Sequence, residues 1–275
     1  MKSSLIYILS FLTFISCNEN SKKVNEKQVN EKQVNENTTT PVKNVQLLKN
    51  NTMEFDLAYI MGKFEPSEHK DFTLIEEKVA SRPGMYLRKD TYQAFLKMHQ
   101  SAADDGIDLK ILSATRNFNA QKRIWEGKWT GKRLVQNGEN LATSTPNPKE
   151  RALKILRWSS MPGSSRHHWG TDIDLNDFEN EYFESGEGLK VYDWLTEHAA
   201  AFGFCQPYTP KNDLRPNGYN EEKWHWSYLP IAKSLSDQAK SSLTNEMIKG
   251  FEGAETAVQI DVLNNFILGI NQACL

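Results

Sequence analysis

His167 and Asp174 stand seven positions apart in the stretch SSRHHWGTDIDL (Ser164–Leu175), and about fifty residues further on EKWHWS (Glu222–Ser227) offers another histidine near an acid. On a continuous helix a spacing of seven returns two side chains to one face but about 10 Å apart, and on a straight strand it points them to opposite faces. Neither regular element brings both to one ion. The chain has to bend between them, and Gly170 is placed to permit the bend, after which TDIDL can run as a strand that projects Asp174.

The second stretch, EKWHWSYL, has the aromatic content of a strand, with His225 on one face and Trp224 and Trp226 on the other. Glu222 has the wrong parity for the His225 face, so it is expected just before the strand or at a bulge. A catalytic zinc site takes three protein ligands and leaves one position open, and His167, Asp174 and His225 suit that role. Glu222 can then serve as base, and Arg116 can steady a developing oxyanion or a substrate carboxylate. His168 and Asp172 compete as ligands, and a pair of histidines that merely lie near acids stays open on spacing alone.

The remainder of the chain places these residues in context. With 275 residues, 39% hydrophobic and 25% charged, a single core domain is expected; a net charge of −2 without a basic run in the sequence argues against nucleic acid as partner. Lys2 and an apolar run from Leu5 to Ile15 end in FISC, the layout of an export signal. The ending resembles a bacterial lipobox with Cys17 as the lipidated residue, although Phe14 stands where that pattern usually has Leu. Residues 1–17 are thus expected as a lipoprotein signal, and the protein as exported and lipid-anchored to a bacterial membrane. Residues 18–50 carry the repeat VNEKQVNEKQVNEN and too few apolar groups to offset ordering, so they read as a disordered tether. The folded domain is expected over 51–275. Cys205 and Cys274 can form one disulfide or remain two thiols.

Within the domain, periodicity predicts a helix over 54–64, a short element over 72–79 and a turn at Pro83 and Gly84. A helix capped by Asp90 runs to Ala103, and a strand follows over 107–113. Arg116 sits where that strand meets a helix begun by Asn117 or Asn119. His99 and His198 read as structural. Residues 127–163, with a helix over 149–158, form an insertion near the mouth of the site. A helix spans 189–202, and the tail from Ile231 looks helical with Ile260, Leu263, Phe266, Ile267 and Ile270 on one face.

At the motif level the chain resembles the zinc D-alanyl-D-alanine carboxypeptidases of the VanY and VanX type. Ser165, His167, Gly170 and Asp174 fall in order on that family's S-x-H-x-x-G-x-A-x-D, and Glu222, Trp224 and His225 on its E-x-x-H with a Trp before the His. Ser113, Arg116 and Gln121 match an upstream S-x-x-R with a following Gln. The resemblance covers roughly Arg88 to Leu229. It implies an α+β fold whose small antiparallel sheet carries the zinc site among surrounding helices. It implies His167, Asp174 and His225 as zinc ligands, Glu222 as base, Arg116 as a transition-state or substrate contact, and Ser165 and Gln121 as substrate-binding residues. It also implies hydrolysis of peptidoglycan stem peptides, as a carboxypeptidase acting at terminal D-alanine or, alternatively, a murein endopeptidase; a silent zinc-stabilised wall-binding module is the rival of another class, and a monomer is expected.

One position departs from the pattern. Asp172 replaces the usual Ala two residues before Asp174, on the same strand face, where it can crowd the site or partner a ligating histidine.

Overall fold

The computed structural model describes residues 54–275; the expected export signal, Cys17 and the tether lie outside the described residues. The element order is mixed. Strand β1 (Phe72–Leu74) pairs with β2 (Tyr86–Arg88) in a two-stranded sheet, and β3 (Ile111–Ser113), β4 (Asp172–Leu175), β5 (Phe204–Cys205) and β6 (His225–Tyr228) form an antiparallel sheet of order β3-β4-β6-β5. Helices α1 (Leu57–Ile60), α2 (Lys89–Asp104), α3 (Phe118–Trp129), α4 (Leu141–Ser144), α5 (Pro148–Ile155), α6 (Gly186–His198), α7 (Leu229–Ser242) and α8 (Thr256–Ile260) surround them, as an α+β fold requires. None of the described helices is long and apolar enough to cross a membrane.

Strand alternation decides where the site lies. Successive side chains point to opposite faces, so Ile173, Leu175 and Trp226 go one way and Asp172, Asp174, His225 and Ser227 the other. The apolar set packs with Phe95 and Met98 of α2 and Val191 and Leu195 of α6, all buried. Full burial of a side chain such as Phe95 or Leu195 contributes about 1.5–3 kcal/mol. A second core, with Trp125, Ile155, Leu235 and Ile260, joins α3, α5, α7 and α8. The tail therefore packs on its own domain.

Several boundaries differ from expectation for visible reasons. The predicted strand over 107–113 contracts to β3, because the Asn176 side chain accepts from Lys110 N at 3.1 Å and donates to the Asp108 carbonyl at 2.7 Å, occupying the backbone that pairing would use. Asp90 is not the cap of α2: Arg88 holds that position, and Asp90, in the first turn, accepts from Arg88 Nε and Nη2 at 3.1 and 2.9 Å. Asn117 caps α3, accepting from Ala120 N at 2.8 Å. The helix expected over 54–64 shortens to the single turn α1, and the tail breaks at Asp261, whose φ of 53° lies in the left-handed region.

Cys205 and Cys274 are joined as a disulfide with Cα atoms 5.8 Å apart, tying the C-terminal end to β5. Closing a loop of 69 residues restrains the unfolded chain by about 4 kcal/mol in the chain-entropy account. A Cys205→Ala/Cys274→Ala double variant is expected to melt several degrees lower than the parent, while a reductant lowers the parent's melting temperature and leaves the variant's unchanged.

Candidate active site

The bend between His167 and Asp174 is a 3-10 turn over Arg166–Trp169 that ends at Gly170 with φ 71°. A Cβ on Gly170 would lie 2.4 Å from Phe72 Cε1 and 2.9 Å from Arg88 Cγ, so conformation and space both demand glycine there. The N-terminal elements pin the turn. Tyr59 OH donates to the Trp169 carbonyl at 2.7 Å, Trp169 Nε1 to that of Ile60 at 3.1 Å, and Arg88 N to that of Gly170 at 3.2 Å.

Antiparallel register then sets Asp174 opposite His225. His167, Asp174 and His225 are all buried, and one ligand atom from each lies within 4.8 Å of the others. His167 Nε2 is 3.3 Å from Asp174 Oδ2, and His225 Nδ1 is 3.3 Å from Asp174 Oδ1. Donors at 2.0–2.1 Å around a tetrahedral ion stand about 3.3 Å apart, so each histidine stands at a co-ligand's distance from the Asp174 carboxylate. Outer partners aim both rings. His167 Nδ1 donates to the Ala114 carbonyl at 2.9 Å and His225 Nε2 to Asp172 Oδ2 at 2.9 Å, which turns Nε2 of the first and Nδ1 of the second inward. Asp174 Oδ1 is buried without a hydrogen-bond partner, as a ligand oxygen would be.

His168 is excluded as a ligand. Its Nε2 accepts from Gly163 N at 3.0 Å and its Nδ1 donates to the Arg116 carbonyl at 2.5 Å, leaving no lone pair over. Burial pushes this ring down to about 3, so it stays neutral. A Cβ on Gly62 would lie 2.4 Å from that ring, which identifies the glycine as the room His168 needs.

Asp172 is an outer partner of His225, and the charge it adds has its own counter-charge. Arg166 Nε meets Asp172 Oδ2 at 3.0 Å, while Thr171 Oγ1 and Ser227 Oγ donate to Oδ1 at 2.7 and 2.8 Å. Burial would lift the Asp172 carboxyl, but Arg166 and His225 hold it well below the usual carboxylate range. Burial likewise opposes Asp174, which His167, His225 and Arg116 keep at about 2.

Glu222 lies just before β6, as its parity requires, with Oε2 3.0 Å from His225 Nδ1. Burial raises its carboxyl above the ordinary value against the pull of His225, a shift in the direction a general base uses. The His225 ring, which burial alone would lower, is lifted to about 9 by hydrogen bonds to Asp172 and Glu222.

Arg116 leaves the end of β3 with its backbone clamped by the turn, its N donating to the His167 carbonyl at 3.1 Å. Its guanidinium donates to Ser113 Oγ at 2.5 Å and Gln121 Oε1 at 3.0 Å, and reaches within 3.6 Å of Asp174 Oδ2. Gln121 donates to the Ser160 carbonyl at 2.8 Å, so in this state it orients Arg116. Ser165 Oγ is buried without a partner. Arg116, Gln121, Ser165, His167, Asp174, Glu222 and His225 line one cleft of about 490 Å³, together with Val135, Gln136 and Trp158 from the predicted insertion.

Sequence reasoning missed three contributors. Arg166 was signalled by Asp172 itself, since a carboxylate in a buried strand calls for a cation nearby. Ser227, which completes that pair, and Tyr208, whose ring centroid lies 4.7 Å from that of His225, had no comparable signal.

The profile of a family described as VanY, D-alanyl-D-alanine carboxypeptidase, matches residues 84–231, which is 148 of 275 residues and just over half the chain. YodJ of Bacillus subtilis (strain 168), which carries a carboxypeptidase name, is 31% identical over 187 residues, covering 64% of this chain and 59% of its own length. The chain thus spans about three fifths of that relative. Among solved structures, VanYB in complex with D-alanine-D-alanine aligns with a TM-score of 0.45 at 21% identity over 64% of this chain and 87% of its own. A VanY D,D-pentapeptidase from a VanB-type resistance cassette in complex with Zn(II) aligns with a TM-score of 0.44 at 21% identity over 67% and 88%.

Asp172→Ala leaves Arg166 buried without its counter-charge, so it is expected to cost about 3–5 kcal/mol of stability and to weaken zinc binding about 10- to 100-fold. Adding Arg166→Met should restore much of the stability but not the affinity, as read by melting and by metal titration. His167→Ala should abolish stoichiometric zinc in the same titration.

Proposed function

The chain belongs to the VanY family of D-alanyl-D-alanine carboxypeptidases, and we propose on that footing that it is a zinc-dependent hydrolase of peptidoglycan stem peptides, releasing a terminal D-alanine. The observation that carries the reading is the buried group of His167, Asp174 and His225, able to hold a metal ion, with Glu222 lining the same cleft. His167, Asp174 and His225 would hold zinc, which when bound supplies Lewis acidity to water and to a carbonyl.

The chain's own residues do the rest. Glu222 takes a proton from the attacking water as its oxygen bonds to the scissile carbonyl carbon, then delivers that proton to the amine nitrogen as the C–N bond breaks. Arg116, held by Ser113 and Gln121, offers a fixed cation to the developing oxyanion. The buried hydroxyl of Ser165 is a donor suited to the terminal carboxylate. Gln121 supports that end of the cleft through Arg116.

The test is product analysis of purified, zinc-loaded protein incubated with muropeptides, beside a Glu222→Ala variant that should lose at least about a hundredfold in kcat while keeping its zinc. D-alanine release supports the carboxypeptidase. Conversion of cross-linked dimers to monomers would assign an endopeptidase instead, and no product from the loaded parent would leave a wall-binding module.

We also propose export and lipid anchoring through Cys17. A Cys17→Ala variant expressed in a bacterial host should move from the membrane fraction to the soluble one, and equal partitioning of the two proteins would overturn the anchor.

A further inference from the structure

A second groove of about 460 Å³ opens from the cleft across Arg116, Ile124 and Arg133, which line both. Its walls come from the turn after residue 81, the junction between β3 and α3, one face of α3 and the segment just after that helix, and they carry Arg82, Arg123 and Arg133 with no acidic side chain. In a chain of net charge −2 that concentration is not an average property of the surface. It is assembled by the fold from positions scattered through 50 residues of sequence, so no basic run announces it.

These arginines differ from the others that line cavities or cores. Arg88 and Arg166 are paired with carboxylates, and Arg151 and Arg215 donate to backbone carbonyls. Among the described residues, no side-chain hydrogen bond or ion pair engages Arg82, Arg123 or Arg133. Arg133 is nonetheless placed. Its stem lies over Gly127 of α3, where a Cβ would come 3.0 Å from Arg133 Cδ, and its N donates to the Gly127 carbonyl at 2.7 Å. Thr115 Oγ1, in the same groove, is a buried hydroxyl without a partner.

On the cleft side, Lys128 donates to Ser159 Oγ at 2.6 Å, with Glu222 the acidic group that acts on its charge. Burial, with Arg133 nearby, lowers its ammonium to about 8. A row of arginines without anions beside a hydrolytic centre is what a ligand carrying its own negative charge would complete.

We propose that Arg82, Arg123 and Arg133 form a subsite for carboxylates of the substrate peptide remote from the scissile bond, so that the enzyme selects acidic peptides over amidated ones. This rests on the peptidase reading above and adds a specificity-determining surface to it. Guanidinium groups bind carboxylates in pairs of parallel hydrogen bonds, which an amide cannot reproduce.

The experiment compares two stem peptides identical except that the side-chain carboxylates of one are amidated, using the zinc-loaded parent, an Arg82→Gln/Arg123→Gln variant and Arg133→Gln. The three arginines are exposed, so melting temperatures should match and folding is not at issue. The parent should favour the acidic peptide about tenfold or more in kcat/KM, and the variants should lose that preference through a higher KM. An unaltered preference in the variants, or an equal loss on both peptides, would overturn the subsite.

Calorimetric binding of the same peptides to Glu222→Ala versions separates this from the reaction itself. If the parent cleaves neither peptide, the proposed function fails, while tighter binding of the acidic form that disappears in the variants still supports the subsite. Tight binding of inorganic polyphosphate with no preference between the peptides would overturn it and assign the groove to a phosphate polymer.

Discussion

The buried ion pair between Arg166 and Asp172 is the contact through which the catalytic face holds together. Arg166 issues from the turn that carries His167, donates to Asp172 on β4, to Ser227 Oγ on β6 at 2.7 Å and to Ser236 Oγ on α7 at 3.0 Å, and lies over the Trp169 ring with its centre 4.6 Å away. One side chain thus sets the turn, two strands and a helix against one another. Burying both charges costs several kcal/mol per ion before any attraction is counted. Here hydrogen bonds satisfy the fork and both carboxylate oxygens, which offsets much of that cost. Such a pair adds little net stability; what it fixes here is the placement of the turn, β4 and β6, which carry His167, Asp174 and His225.

The same pair shapes the electrostatics of the site. Asp172, Asp174 and Glu222 put three carboxyl groups around His225, more negative charge than one divalent ion balances. With Arg166 matched to Asp172, Asp174 and Glu222 are the two carboxyl groups left lining the cleft beside His225. Arg116 lies 3.6 Å from Asp174 and is held by Ser113 and Gln121, so its charge is directed at the cleft and not collapsed onto the ligand. The aspartate in place of the family's alanine comes with its own arginine, and the group of His167, Asp174 and His225 is intact beside it.

Much of this was legible in the order of residues. The spacing of seven between His167 and Asp174 excluded helix and strand and required a bend at Gly170, and the parity of EKWHWS put Glu222 outside the strand that carries His225. Both follow from backbone periods that hold in any fold. Less legible were the ends of elements, because a side chain from elsewhere can take over backbone groups, as Asn176 does at Asp108 and Lys110. Asp90 looked like a helix cap and instead pairs with Arg88, since β2 runs directly into α2 and leaves that guanidinium at the first turn.

The stretch SSRHHWGTDIDL by itself determined that, for one of its histidines and one of its aspartates to share an ion, a turn has to feed a strand, because that is a consequence of local geometry. The motif resemblance selected His167 and Asp174. Tertiary structure alone decided why: His168 is closed off on both nitrogens, by Gly163 five residues before it and by the Arg116 carbonyl 52 residues away, and Asp172 is matched by Arg166 and by Ser227 on β6. The pairing of Cys205 with Cys274 and the gathering of Arg82, Arg123 and Arg133 at one groove belong to the same category. Periodicity constrains where a side chain points relative to its neighbours in the chain; only packing determines which distant group it meets.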